Sequence, residues 1–170
     1  MIIKRISPED EIFSFKSNEY IPLEMEIGNS DLGAIYLRYC SDYSLLELGV
    51  SPRDGKIISI KLVMIPSVSE GDGPAIPSNF DDGIPIFDLS CWNGKKYFDI
   101  DGEVKVILNK TSIILIINDS WEITNSSFNH NVRFGISNRS LCWISFENFD
   151  EGKILEMRKM IDSNKPGVYL

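Results

Sequence analysis

Alanine is almost missing from this chain of 170 residues: only Ala34 and Ala75 are present. Alanine is the strongest helix former, and the isoleucines and asparagines that are abundant here are not. Little alanine and much isoleucine therefore favour strands over helices. The same bias points to an AT-rich gene. Histidine is reduced to His130, which leaves no His-based metal cluster. His130 sits between two asparagines and reads as a turn residue. Three cysteines, Cys40, Cys91 and Cys142, are odd in number and far apart. They make neither a full disulfide framework nor a metal-ligand spacing, and they read as reduced thiols. The longest strongly apolar run, Ile113–Ile117, is too short to span a bilayer. No apolar segment follows the basic pair near the N-terminus, so no secretory signal is expected. Nucleophile elbows, P-loops and GxGxxG turns are absent as well.

What is present is negative charge. The formal net charge is -8 and the sequence pI is about 4.7. Such a chain is repelled by phosphate backbones and anionic lipid surfaces, and attracts basic proteins. The length suits a single domain over residues 1–170.

Alternating apolar residues predict a strand at Tyr20–Ile27, with Pro22 at its start or marking a sheet edge. Further strands are predicted at Gly33–Cys40, Ser44–Val50 and Lys56–Ile65. These last three form an antiparallel meander, turned by Ser41-Asp42-Tyr43 and by Arg53-Asp54-Gly55. Pro66–Pro85 is a long loop broken by prolines and glycines. Strands resume at Ile86–Leu89 and Lys96–Ile100, joined by a hairpin signal at Asn93-Gly94. Glu103–Leu108 alternates; Thr111–Ile117 does not and is expected to bury both faces. Val132–Ser137 and Leu141–Glu147 make a last hairpin around Asn138-Arg139. A terminal helix is predicted over Phe149–Asn164, burying Ile154, Leu155 and Ile161, with Lys165-Pro166-Gly167 stopping it. A short helix over Pro8–Phe13 is also expected. The fold class is β-rich α+β: a twisted antiparallel sheet or a β-sandwich with a C-terminal helix packed on it.

Catalytic chemistry finds little footing. Asp99–Glu103 resembles half of a calcium loop but lacks its spacing and closing glutamate. Asp81 and Asp82, with Asp99, are the remaining candidates for a small cytosolic hydrolase using loop carboxylates. The more telling feature is an interval without cations: no lysine or arginine lies between Lys61 and Lys95. That interval holds Glu70, Asp72, Asp81, Asp82 and Asp88, interleaved with Phe80, Phe87 and Trp92. Acids with aromatics on a long loop suit capture of a basic protein, charge guiding the encounter and rings anchoring it. Glu70, Asp72, Phe80, Asp81, Asp82, Phe87 and Asp88 are the candidate contact residues. No catalytic residue, cofactor or metal is assigned, and the chain is read as a non-enzyme.

The block LLELGVSPRDGKIISIKLVMIPS, Leu45–Ser67, with the acidic loop after it, resembles immunity proteins of bacterial contact-dependent growth inhibition systems. The likeness covers mainly Leu32–Ile65, together with overall size and acidity. It implies a cytoplasmic protein that binds and neutralises the C-terminal toxin domain of a cognate effector. The toxin is expected to be a basic nuclease, a DNase ahead of an RNase. The immunity protein itself touches neither nucleic acid nor membrane. A structural or adaptor β domain is the remaining alternative.

Overall fold

A computed structural model describes residues 1–8, 12–16, 20–27, 33–65, 68–119 and 122–163. Its first six strands are β1 (Ile3–Ser7), β2 (Phe13–Lys16), β3 (Leu23–Ile27), β4 (Ile35–Cys40), β5 (Leu45–Val50) and β6 (Ile57–Met64). Then come β7 (Val68–Glu70), β8 (Phe80–Asp82), β9 (Ile84–Phe87), a single 3-10 turn (Leu89–Trp92) and β10 (Tyr97–Asp101). The last strands are β11 (Lys105–Leu108), β12 (Ile113–Ile116), β13 (Asn125–Asn129), β14 (Val132–Ser137) and β15 (Ser140–Phe146), followed by helix α1 (Glu151–Ser163).

These strands build a sandwich. One sheet has the order β10-β4-β5-β6-β3-β2, the other β7-β11-β12-β15-β14-β13-β8, and β1 pairs with β9 beside them. One core lies between the two large sheets, with Leu37, Leu48, Ile60 and Leu62 from the first meeting Leu115, Phe134, Ile144 and Phe146 from the second. The meander β4-β5-β6 and the hairpin β14-β15, turned at Asn138-Arg139, form as expected. Both faces of β12 are buried. β3 runs between β2 and β6, so Pro22 precedes an interior strand and marks no edge.

The sheets are antiparallel except at their margins. The three parallel pairings, β10 with β4, β7 with β11 and β8 with β13, all attach end strands. This corrects the expected hairpin at Asn93-Gly94. Both residues have positive φ, 47° and 75°, as a tight turn requires. The turn, however, follows the 3-10 segment and sends β10 to the six-stranded sheet, whereas β9 pairs with β1. Strand β9 ends at Phe87, because Asp88 caps that 3-10 turn and Leu89 lies inside it.

Helix α1 begins where Asp150 accepts the Lys153 N–H at 2.8 Å on its side-chain oxygen, an N-cap. Ile154, Met157 and Ile161 enter the common core. Leu155 is 55% exposed, contrary to expectation. It follows Ile154 by one residue, a rotation of about 100° that carries it off the stripe at spacings of three and four. Residues 164–167 lie outside the described residues. The short helix expected over Pro8–Phe13 falls largely outside them too, and Phe13 itself opens β2. No helix among the described residues is long and apolar enough to cross a membrane.

The outward faces of the two sheets differ. Across the six-stranded sheet, cross-strand neighbours read Asp99, Arg38, Glu47, Lys61, Glu24 and Lys16, alternating in sign. Across the seven-stranded sheet one row reads Lys105, Ile116, Trp143, Gly135, Ser126 and Phe80. Ile114, Ile116, Cys142 and Trp143 form a second, smaller apolar cluster there. The Trp143 ring lies so close on Gly135 that a Cβ at that position would stand 2.1 Å from it.

Candidate partner-binding surface

The acidic interval is a strap. β7 is one end strand of the seven-stranded sheet and β8 is the other. The connection between them, residues 71–79, crosses the outer face from margin to margin. Gly73 passes over Ile114, where an added Cβ would meet Ile114 Cδ1 at 2.3 Å. Pro74 sits between two cavities of about 260 and 250 Å³, both lined by Trp143. The strap thus covers the apolar cluster, which would otherwise be an exposed patch. At its far end Gly83 turns the chain from β8 into β9, with φ at 126° and its α-carbon against Ser7 O; a Cβ there would stand 1.8 Å from that oxygen.

This crossing separates the residues that the sequence groups together. Glu70, on β7, forms a salt bridge of 2.5 Å with Arg158 of α1. Asp72 follows it and lines a cavity with Ile76, Ile114 and Trp143. Phe80, Asp81 and Asp82 lie on β8, at the opposite margin. All three are exposed, Phe80 by 58%, and Asp81 accepts a hydrogen bond from Asn125 Nδ2 at 2.8 Å. Ile76, on the strap, is 55% exposed. The surface therefore carries acids at each margin of the sheet, with two apolar side chains standing proud of it.

Phe87 does not belong to that surface. It is 1% exposed and packs in the main core, so its ring is not available to a partner. The run Ile84-Pro85-Ile86-Phe87 is apolar throughout, the pattern of a strand buried on both faces, and that signal was open to the sequence reader. Asp88 has a local task. Its carboxylate accepts the Ser90 N–H at 3.0 Å, and hydrogen bonds from the Ser90 backbone and hydroxyl hold its pKa below the ordinary aspartate value. Trp92 is buried in the core.

The hydrolase candidates are distributed over two sheets. Asp81 and Asp82 sit on β8, while Asp99 lies on β10 and is gripped by Arg38 through two bonds of 2.7 and 2.8 Å. That grip, the Arg38 hydrogen bond first, lowers the Asp99 pKa. His130 has φ at 53° in the exposed β13–β14 turn. Among the described residues no group of three or more His, Cys, Asp or Glu is placed to hold a metal.

Sequence reasoning missed a second cluster, around β4 and β10. The Tyr36 and Tyr97 rings stack with centroids 5.5 Å apart. Arg38 lies over Tyr97 at 4.3 Å, and Lys96 lies within 6 Å of both rings. Beside them, Glu47 occupies the middle of the alternating row. Its cross-strand neighbours Arg38 and Lys61 are committed to Asp99 and to Glu24, the latter at 2.6 Å. Burial raises the Glu47 pKa, opposed by Lys61 and Arg38. Tyr36, Arg38, Glu47, Tyr97 and Asp99 hold outward positions in their strands, but only the sheet order aligns them.

No family model matches this chain, and no curated protein matches it.

Proposed function

We propose that this chain is an immunity protein of a contact-dependent growth inhibition system. It acts in the cytoplasm by binding the C-terminal toxin domain of its cognate effector, and it works without turnover. The observation that carries this reading is β8: an exposed phenylalanine followed by two exposed aspartates, at the end of a strap that holds no cation. A ring that stands 58% exposed on a sheet margin costs the free protein solvation, and docking into a partner would remove that cost. The acids beside it favour a basic partner, and a nuclease, which must carry cations for phosphate, meets that requirement. Asp72 at the other margin adds to the field, while Glu70 there is paired with Arg158. Phe87 and Asp88 have no contact role in this reading.

Binding kinetics against the C-terminal domain of the effector encoded beside this chain test the proposal. Reversing Asp81 and Asp82 to Lys should slow association and flatten its salt dependence, because charge steers encounter. Phe80→Ala should speed dissociation by an amount equivalent to about 1–3 kcal/mol. Wild-type rates for the double reversal at both low and high salt would place the interface elsewhere.

A further inference from the structure

β10 ends the six-stranded sheet, with β4 on one side and, among the described residues, no strand on the other. Its ladder with β4 is parallel, and in such a ladder a strand bonds its neighbour through alternate residues. Lys96 O accepts the Tyr36 N–H at 2.8 Å, and the Gly102 N–H donates to Cys40 O at 3.0 Å. The even-numbered residues of this stretch therefore face β4. The backbone N–H and C=O groups of Tyr97, Asp99 and Asp101 turn to the open side, and none finds a backbone partner there among the described residues. All three residues are exposed. Aligned, unpaired backbone groups of this kind are a template for another strand.

The chemistry of the stretch selects the strand. Residues 95–103 read KKYFDIDGE. Laid antiparallel against a second copy, with Asp99 on the two-fold axis, Tyr97 stands opposite Asp101, Phe98 opposite Ile100, and Lys95 opposite Glu103. In this phase Tyr97 with Asp101, and Asp99 with its copy, become the pairs that exchange two hydrogen bonds. All the open backbone groups of both chains are then used. Phe98 and Ile100 fall in the intervening pairs, whose side chains approach closely. Both are half-buried and point to the core side, so their pairing extends the core. Neither Lys95 nor Glu103 has a salt bridge within its own chain among the described residues. The one juxtaposition of like charge, Asp99 against its copy, is compensated within each chain by Arg38.

We propose that two copies of this chain associate through β10, antiparallel about a two-fold axis at Asp99, into one continuous sheet with six strands from each. Isologous contacts of this type require a self-complementary patch, and residues 95–103 supply one. The inference is independent of the toxin-binding role, since it uses the other sheet.

Analytical ultracentrifugation of the full chain over a wide concentration range tests it. The expected result is a concentration-dependent monomer–dimer equilibrium. Asp101→Pro removes an N–H that finds no backbone partner among the described residues of the monomer, and an edge strand tolerates proline there; this variant should sediment as monomer throughout. Lys95→Glu and Glu103→Lys should each weaken the dimer about tenfold, since each reversal turns two symmetric attractions into repulsions. The double swap should restore it. A wild-type chain that is monomeric at every concentration overturns the proposal. So does a folded Asp101→Pro variant that dimerises as the parent does. Should that variant fail to fold, single charge reversals with unchanged dimerisation overturn it.

Discussion

Across the six-stranded sheet the solvent side runs Asp99, Arg38, Glu47, Lys61, Glu24, Lys16; across the seven-stranded sheet it runs Lys105, Ile116, Trp143, Gly135, Ser126, Phe80. Every sandwich has two such outer faces, and each must either tolerate water or be covered. Here the first face meets water with opposite charges in cross-strand register, which suits a sheet without another layer. The second is apolar and has a strap laid over it. The difference shows where surface features of a β-sandwich can arise. The charged face needs only side chains, so it stays regular. The covered face needs extra chain, and that chain must return from one margin to the other. Asp72 and the exposed Ile76 ride on that extra chain, and Phe80, Asp81 and Asp82 stand where it ends in β8.

Substitution at Trp143 separates the faces most sharply. Trp143→Ala should cost about 3–5 kcal/mol in chemical denaturation, because the ring fills the space between Gly135 and the strap. Trp143→Phe should cost only about 1–2 kcal/mol, since the indole N–H has no hydrogen-bond partner to lose. Gly135→Ala should be destabilising by about 1–3 kcal/mol in the parent but nearly silent beside Trp143→Ala, because the clash is with that ring. Additive effects would mean that the face is not packed as described.

On the charged face the largest single effect should be smaller. Arg38→Ala removes the paired bonds to Asp99 and the contact with Tyr97, and should cost about 1 kcal/mol by the same measurement. A loss as large as that of Trp143→Ala would erase the distinction between the two faces.

The smallest effect concerns pH, and two carboxylates in one row should respond oppositely. Asp99 has a lowered folded pKa through Arg38, so its contribution is present above the unfolded aspartate range and disappears as pH falls through the folded value. Glu47 has a raised folded pKa through burial, so its ionised form opposes folding at neutral pH, and that opposition fades on acidification. Glu47→Gln should therefore be at least as stable as the parent at pH 7, by less than about 1 kcal/mol, and the gap should close as pH falls into the carboxylate range. Melting curves at several pH values check the sign.

Much of the scaffold was legible in the sequence, since the period of two survives in β3, β4 and β11, turn residues mark the meander and the β14-β15 hairpin, and α1 carries its stripe. The placement of strands after the long loop was not. Asn93-Gly94 reports a tight turn correctly, yet a turn says nothing about which strand receives the chain after it. Phe87 and Phe80 are both phenylalanines in one acidic interval, but Phe87 closes the apolar run Ile84-Pro85-Ile86 whereas Phe80 is followed by two aspartates. That contrast decides core against surface, and reading the interval as one unit blurred it. The six-residue charge row is invisible before sheet order is known, because its members come from six separate strands.

The strap also fixes an order of assembly. β7 and β8 have no neighbours to pair with until β11 and β13 exist, and both of those follow them in the chain. During synthesis the segment must therefore wait, unpaired, for strands not yet made. Closing it joins residues far apart in sequence, which is the slow class of folding event. Amide exchange should accordingly find β7 and β8 among the first backbone groups to open, while β12, with a strand on either side, holds until the whole domain unfolds.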